Sequence, residues 1–160
     1  MGKQVSVGIA DMKILRQEGV LITYALGSCI GISFYDPMIK LGALLHIMLP
    51  EGRQMGGTNL MKYADTGIRE TLRKLNAFGG TNRRMICKIA GGAKMFEMKG
   101  PGGLGNIGER NAAMVKRVLM AEGLRISGED TGGTYARTMQ MDVSTGEVKI
   151  RTVGRPDRIL

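Results

Sequence analysis

Residues 41–49 (Leu-Gly-Ala-Leu-Leu-His-Ile-Met-Leu) form an apolar run that a single histidine, His46, interrupts. If the run is a β-strand, it is apolar on both faces, because successive side chains point to opposite sides of a sheet. Strands of this kind lie at the centre of sheets that are covered on both sides. The run therefore predicts a layered fold that encloses a histidine.

The rest of the chain is predicted to alternate between strands and helices. Strands are expected at residues 5–9, 20–26, 30–35 and 84–90, and helices at about 59–78 and from about 106–109 to 123. Residues 138–143 and 147–152 flank a turn and indicate a hairpin. Loops are expected at 51–58 and 91–105. This order predicts a single α+β domain over residues 1–160, with a mostly antiparallel or mixed sheet.

Composition places the chain among ordinary soluble proteins. Hydrophobic residues make up 43% and charged residues 23% of its 160 residues. The sequence contains no apolar stretch approaching the ~20 residues needed to span a bilayer. Its first residues lack the apolar core of a signal peptide, which favours a cytoplasmic location with reduced cysteines.

The net charge of +9 favours partners with acidic surfaces. Nucleic acid is the obvious candidate, but the basic residues are scattered. Four tyrosines, three phenylalanines and no tryptophan also make a base-stacking platform hard to build. An acidic protein surface explains the excess equally well, so we expect no nucleic-acid partner and no membrane insertion.

The glycine pattern at residues 103–108 (Gly-Leu-Gly-Asn-Ile-Gly) matches the dinucleotide-binding motif by letter. That motif needs its first glycine at the end of a strand, whereas the predicted strand ends near Ala90. One histidine and two separated cysteines also give no metal-ligand pattern. The sequence therefore predicts neither a cofactor nor a metal.

Cys29 and His46 are the residues best equipped for chemistry. A thiol and an imidazole suffice for nucleophilic catalysis, because the imidazole takes the thiol proton and the thiolate attacks a carbonyl carbon. Cys29 follows the corner Gly27-Ser28, whose backbone N–H groups can hold an oxyanion. Thr23 and Ser28 are the nearby hydroxyl candidates for orienting the ring. Thr23 lies on the strand leading into this corner, so its hydroxyl can accept the other N–H of the imidazole.

Each of these residues also has an interpretation without chemistry. Free cysteines are often buried structural residues. A histidine in an apolar strand is commonly a hydrogen-bonded core residue, and threonine simply favours strands. Cys87, in the middle of the strand at 84–90, is predicted to lie in the core. The residues alone leave both interpretations of Cys29 and His46 open.

Ordered blocks across about residues 5–153 carry a resemblance. The most specific block joins Leu-Gly-Ser-Cys at 26–29 to His-Ile-Met-Leu-Pro at 46–50. Others lie at 62–65, 88–96, 106–111, 129–133 followed by Arg137, and 145–146. Together they resemble the CheD family of chemoreceptor glutamine deamidases. One departure is Ala136, where the family often has a glycine.

The resemblance implies an α/β sandwich related to other cysteine hydrolases, with Cys29, His46 and Thr23 as the catalytic triad. It also implies the reaction, hydrolysis of glutamine side chains to glutamate on methyl-accepting chemotaxis receptors. Some family members hydrolyse glutamyl methyl esters as well. Many bind the CheC phosphatase, which competes with the receptors.

Two rival functions come from other classes of protein. In the first, the chain is a non-catalytic adaptor that docks on receptors or on CheC, and the pair of Cys29 and His46 is inert. In the second, the basic surface binds nucleic acid independently of Cys29. The presence of Thr23, Cys29 and His46 together favours the enzyme.

Overall fold

The computed structural model describes residues 2–52, 59–95 and 106–160. Most of the loops expected at 51–58 and 91–105 lies outside these ranges, as do residues 103–105 of the glycine pattern. The described residues form ten strands and two helices. The strands are β1 (Gln4–Ser6), β2 (Asp11–Arg16), β3 (Val20–Leu26), β4 (Ile30–Asp36), β5 (Leu41–Ile47), β6 (Ile86–Gly91), β7 (Arg125–Thr131), β8 (Arg137–Asp142), β9 (Val148–Arg151) and β10 (Arg158–Ile159); the helices are α1 (Ala64–Ala77) and α2 (Ile107–Ala121).

The strands form two five-stranded sheets. The first sheet has the order β1-β3-β8-β9-β10 and the second the order β2-β5-β4-β6-β7. Two pairs are parallel, β1 with β3 and β6 with β7, and the other pairs are antiparallel. The second parallel pair is connected through α2. The prediction of an α+β fold with mixed sheets is confirmed.

The second sheet is the middle layer of the molecule. Its β4 and β5 are buried along their whole length. One face packs on the helices and the other on the first sheet, so the doubly apolar run at 41–49 occupies the central position that its pattern predicted. The outer core, between helices and sheet, includes Ile30, Ile32, Phe34, Ala43, Leu45, Ile47, Ile68, Leu72, Val115 and Leu119. The inner core, between the sheets, includes Leu21, Leu26, Leu44, Met139, Met141, Val148 and Ile150.

Strand β2 is an element that the sequence did not predict, and the strand expected at 5–9 is shorter and earlier, at Gln4–Ser6. β2 pairs only with β5, so it is an edge of the second sheet. Its sequence, Asp-Met-Lys-Ile-Leu-Arg, mixes charged and apolar residues. Charged residues are typical of edge strands, and they hide the apolar alternation on which a strand prediction depends.

The first helix begins later than expected. Residues 60–62 form a separate 3-10 turn, which Asn59 caps by accepting the backbone N–H of Met61 at 2.9 Å. α1 then runs from Ala64 to Ala77. Asn59 therefore caps the 3-10 turn, and α1 begins after it. In the described part of the chain, no helix is long and apolar enough to cross a membrane.

Candidate active site

Thr23 and His46 meet between the two sheets. Thr23 lies on β3 of the first sheet and His46 on β5 of the second, and both are almost fully buried. Thr23 Oγ1 lies 2.7 Å from His46 Nδ1 and also donates to the carbonyl of Val7 at 2.8 Å. A hydroxyl has one hydrogen, so at His46 this oxygen accepts and Nδ1 carries the ring proton. The contact predicted between Thr23 and His46 is present.

This contact determines what the other ring nitrogen can do. With Nδ1 protonated, His46 Nε2 carries the lone pair, and among the described residues this buried atom has no hydrogen-bond partner. Burial lowers the pKa of His46 from 6.5 to about 4. At neutral pH the ring is therefore uncharged, which is the state that can accept a proton.

Cys29 lies on the same face of the second sheet as His46. Gly31 is the register partner of His46, and Cys29 precedes Gly31 by two residues, which returns its side chain to the same side. It packs against the inner core, where His46 also points. Cys29 and His46 therefore lie on one face of the second sheet, at the same end of the β4–β5 ladder.

The thiol of Cys29 is also uncharged at neutral pH. Partial burial raises its pKa above the ordinary value, while its own backbone N–H acts in the opposite direction. The resting pair is therefore a neutral thiol beside a neutral imidazole. Cys87, the other cysteine, is fully buried in the outer core, and burial raises its pKa to about 12. This confirms the prediction that Cys87 is a core residue.

A bulge in β3 sets the position of the turn that carries Cys29. Thr23 pairs with Met139 and Leu26 pairs with Arg137, so β3 has one residue more than β8 over this stretch. The extra residue places both Tyr24 and Ala25 at the surface, and Ala25 has a positive φ of 55°. Thr23 and Leu26 consequently both face the inner core.

The turn itself is anchored through its carbonyl groups. The carbonyl oxygens of Gly27, Ser28 and Cys29 all accept hydrogen bonds from other parts of the chain. The donors are, in that order, the backbone N–H of Ala93, the side-chain amide of Asn111 and the backbone N–H of Gly92, each at 2.9 Å. Two parts of the chain, the segment that follows β6 and helix α2, therefore fix the backbone that carries the thiol.

A cavity of about 440 Å³ lies next to this turn, between the start of α2 and the ends of β6 and β7. Gly92, Lys94, Glu109, Lys116 and Thr131 are among its lining residues, whereas Cys29, His46 and Thr23 are not. It is a neighbour of the candidate site and not the site itself. In the part of the chain that the structure describes, no cluster of His, Cys, Asp or Glu side chains is suited to a metal ion.

Comparison with known proteins gives the family. Residues 48–152 match the family model described as CheD chemotactic sensory transduction. The chain belongs to the CheD family. A relative from Syntrophomonas wolfei named probable chemoreceptor glutamine deamidase CheD is 44% identical, over all of both chains. Relatives with the same name from Moorella thermoacetica and Pyrococcus abyssi are 45% and 43% identical, covering 99% and 96% of this chain and 96% and 94% of their own.

The CheD model matches from Met48 onward, so Thr23, Cys29 and His46 lie before the matched segment. The contact between Thr23 and His46 is therefore an observation on this chain and not a result of the family match. The relatives, in contrast, match over nearly the whole chain, including the strands that carry the three residues.

Two buried polar residues lie within residues 48–152, the part of the chain that matches the CheD model. Neither of them was assigned a role from the sequence. Asn111, on α2, is fully buried and shares a face with Val115 and Val118. Arg137 is 1% exposed, pairs with Asp130 at 3.1 Å and donates to the carbonyl of Gly91 at 3.2 Å. A polar residue on an apolar helix face was the available signal for Asn111.

Proposed function

We propose that this chain hydrolyses the side-chain amide of glutamine residues on methyl-accepting chemotaxis receptors, with Cys29 as the nucleophile and His46 as its base. Membership of the CheD family and the names of the relatives support the reaction. One observation carries the assignment of residues. The bond between Thr23 and His46 leaves an unpartnered, unprotonated Nε2 on the face of the sheet where Cys29 lies.

The first half of the reaction forms a thioester. His46 Nε2 takes the proton of the Cys29 thiol while the sulfur attacks the carbonyl carbon of the glutamine side chain. The C–N bond of the resulting tetrahedral adduct then breaks, and the imidazolium returns the proton to the leaving nitrogen, which departs as ammonia. A glutamyl thioester on Cys29 is left, and His46 is neutral again.

The second half consumes water. Neutral His46 takes a proton from a water molecule as its oxygen attacks the thioester carbonyl carbon. The C–S bond breaks, glutamate is released, and the proton passes from the imidazolium to the sulfur, which restores the thiol. A glutamyl methyl ester follows the same path with methanol as leaving group, so we extend the proposal to esters.

The anchored turn supports an oxyanion hole at Ser28 and Cys29. In a trans peptide unit the N–H points opposite to the carbonyl of the preceding residue. Because the carbonyl of Gly27 points to Ala93, the N–H of Ser28 points away from Ala93. The carbonyl of Ser28 points to Asn111 in the same way, so the N–H of Cys29 points away from Asn111. Preorganised donors of this kind stabilise the tetrahedral oxyanion.

Burial of His46 suits this two-step chemistry. The depressed pKa makes the free imidazolium unstable, so the ring does not hold a proton before a substrate arrives. When the thiolate or the adduct forms beside it, the negative charge stabilises the imidazolium. The ring is then a proton carrier whose charged state exists only during the reaction, and Thr23 keeps Nε2 directed at the sulfur throughout.

The remaining parts of the proposal concern location and partners. Chemotaxis receptors present their modified glutamines in the cytoplasm, so we place this chain there. A net charge of +9 favours approach to acidic receptor surfaces and predicts rates that fall as salt rises. CheC, which the family resemblance implies, is proposed as a second partner that competes with receptors.

The deciding experiment is mass spectrometry of a receptor cytoplasmic fragment incubated with the wild-type protein, with Cys29→Ala and with Cys87→Ala. We expect a gain of about 1 Da at particular glutamines with the wild type and with Cys87→Ala, but none with Cys29→Ala. Cys87→Ala is the matched control, because it removes the core thiol only.

Other outcomes favour the rivals. If no glutamine changes although the folded wild-type protein binds the fragment, the chain is an adaptor. If Cys29→Ala still deamidates the fragment, the assignment of the nucleophile is wrong. Salt-sensitive retention of DNA by both wild type and Cys29→Ala, without any deamidation, would favour nucleic-acid binding.

A further inference from the structure

Asn111 connects the two segments that carry Cys29 and His46. Its side-chain nitrogen Nδ2 donates to the carbonyl of Ser28 at 2.9 Å and to the carbonyl of Met48 at 2.8 Å. Ser28 immediately precedes Cys29, and Met48 follows His46 by two residues. The side chain of Asn111 is fully buried. One amide group on α2 therefore binds the backbone segment before Cys29 and the backbone segment after His46.

These bonds lie where the ladder between β4 and β5 ends. Ile30 and Ile47 form the last register pair at this end, so Ser28 and Met48 lie beyond it. Beyond the last pair of a ladder, the two backbone segments no longer form hydrogen bonds to each other and can separate. Asn111 supplies the missing donors to both, and it does so next to the positions of the thiol and the imidazole.

The orientation of the Asn111 amide follows from its partners. Both contacts are made to carbonyl oxygens, which only accept, so the group that faces them must be the NH₂. The opposite orientation would direct Oδ1 at two acceptors. Oδ1 is buried and, among the described residues, has no hydrogen-bond partner. A buried acceptor without a partner costs free energy. The two hydrogen bonds that Nδ2 donates offset this cost, which indicates that they are the reason for an asparagine at this position.

We infer that Asn111 is a positioning residue for the deamidation reaction: its two hydrogen bonds fix the separation of the Cys29 thiol from His46 Nε2. This inference rests on the proposed function. It extends that function, because it adds a residue from the helix layer to a site otherwise built by the two sheets. Asn111 acts through the backbone and does not touch the reacting atoms.

The alternative is that Asn111 only stabilises the fold. The two roles predict different measurements. A stabilising residue, when replaced, lowers the melting temperature and leaves the turnover of the folded molecules unchanged. A positioning residue, when replaced, lowers kcat and the ability of His46 to take the thiol proton, with KM little changed because substrate contacts are intact.

The experiment compares Asn111→Asp and Asn111→Ser with the wild type, well below their melting temperatures. Asn111→Asp keeps the shape and directs oxygen at both carbonyls, while Asn111→Ser keeps a single donor and is the milder change. Thr71→Val is the matched control, because Thr71 is also fully buried in the helix layer and its hydroxyl donates to the sulfur of Met61 instead. The readouts are kcat, KM, and the rates of alkylation of Cys29 by iodoacetamide at neutral pH and at about pH 10.

We expect kcat to fall by roughly 10–100-fold in both Asn111 variants, with KM within about twofold, since small misplacements of reacting groups cost this much. Alkylation at neutral pH needs His46 as base, whereas at high pH solvent removes the proton. The ratio of the neutral rate to the alkaline rate therefore falls in the Asn111 variants and stays at the wild-type value in Thr71→Val.

Wild-type kcat and a wild-type alkylation ratio in Asn111→Ser would overturn the inference, whatever the melting temperature. If Asn111→Asp does not fold, Asn111→Ser decides alone. Cys29→Ala, assayed beside them, separates this failure from failure of the proposed function. Activity in Cys29→Ala refutes the proposed nucleophile, while its absence together with unaffected Asn111 variants refutes only the positioning role.

Discussion

Gly91 lies directly against the backbone of Cys29. A Cβ atom built on Gly91 would stand 2.1 Å from the carbonyl oxygen of Cys29, and the φ of Gly91 is +115°. Its neighbour Gly92 donates its N–H to the same oxygen at 2.9 Å. The end of β6 therefore touches the backbone of the proposed nucleophile through residues that have no side chain.

Replacement of Gly91 by alanine should disturb both stability and activity. The new methyl group must displace the turn that carries Cys29, so we expect deamidation to fall at least about tenfold. Gly123→Ala is the matched control, because Gly123 also has a positive φ, +81°, but has no atom within 4 Å of the added Cβ. It should lose about 1–2 kcal/mol of unfolding free energy from backbone strain and keep its activity. Unchanged deamidation in Gly91→Ala, measured on the receptor fragment, would contradict this account.

Thr23→Val tests the orientation of the imidazole. Valine has the same shape and removes the acceptor of the His46 Nδ1 proton. The ring proton can then reside on Nε2 instead, and Nε2 can no longer accept the thiol proton. We expect kcat to fall by about 100-fold, a typical value for general-base catalysis. Thr23→Ser retains the hydroxyl and should keep most of the activity. If Thr23→Val turns over as fast as Thr23→Ser, the hydroxyl does not orient the ring.

Stability should fall with pH in a window set by His46. The unfolded chain protonates this residue near 6.5 and the folded protein near 4, so between these values the unfolded state binds more protons. The free energy of unfolding therefore decreases as pH falls through this window, by about 3 kcal/mol in total. Chemical denaturation of wild type and His46→Gln between pH 7 and about 4 checks this. Equal pH dependence in both proteins would be evidence against a buried neutral imidazole.

The charge state of Cys29 in the resting protein can be observed directly. Because burial raises its pKa, the thiolate absorbance in the ultraviolet should be absent at neutral pH and appear only above the ordinary thiol pKa of 9.0. The difference spectrum between wild type and Cys29→Ser isolates this signal, and Cys87 does not contribute until about pH 12. A thiolate band at neutral pH would instead show a resting ion pair with His46.

The central part of the site could be predicted from the sequence because its signals are local. The strands at 20–26 and 30–35 and the doubly apolar run at 41–49 are adjacent in the chain, and their patterns place them in the core. Cys29 lies at the corner between two of them, and His46 is the only histidine. The expectation that Thr23 can contact His46 came from its position on the strand that leads into the corner of Cys29.

Asn111, Gly91 and Arg137 could not be assigned in this way. Asn111 and Gly91 contact the turn around Cys29 from elements far along the chain, and Arg137 contacts the carbonyl of Gly91. Gly91 looks like any glycine at the end of a strand until the carbonyl of Cys29 is placed beside it. Their contributions are relationships between distant elements, which one sequence does not specify.

The bond between Thr23 and His46 joins two sheets that are completed at different points of synthesis. Residues 23–46 emerge from the ribosome early, but β3 obtains its antiparallel partner only when β8, at Arg137–Asp142, is made. Until then β3 is paired on one side only, with β1, and lacks the partner that completes the first sheet around Thr23. The nascent chain therefore contains the proposed nucleophile long before the first sheet is complete, and we expect reactivity at Cys29 only in the finished tertiary structure.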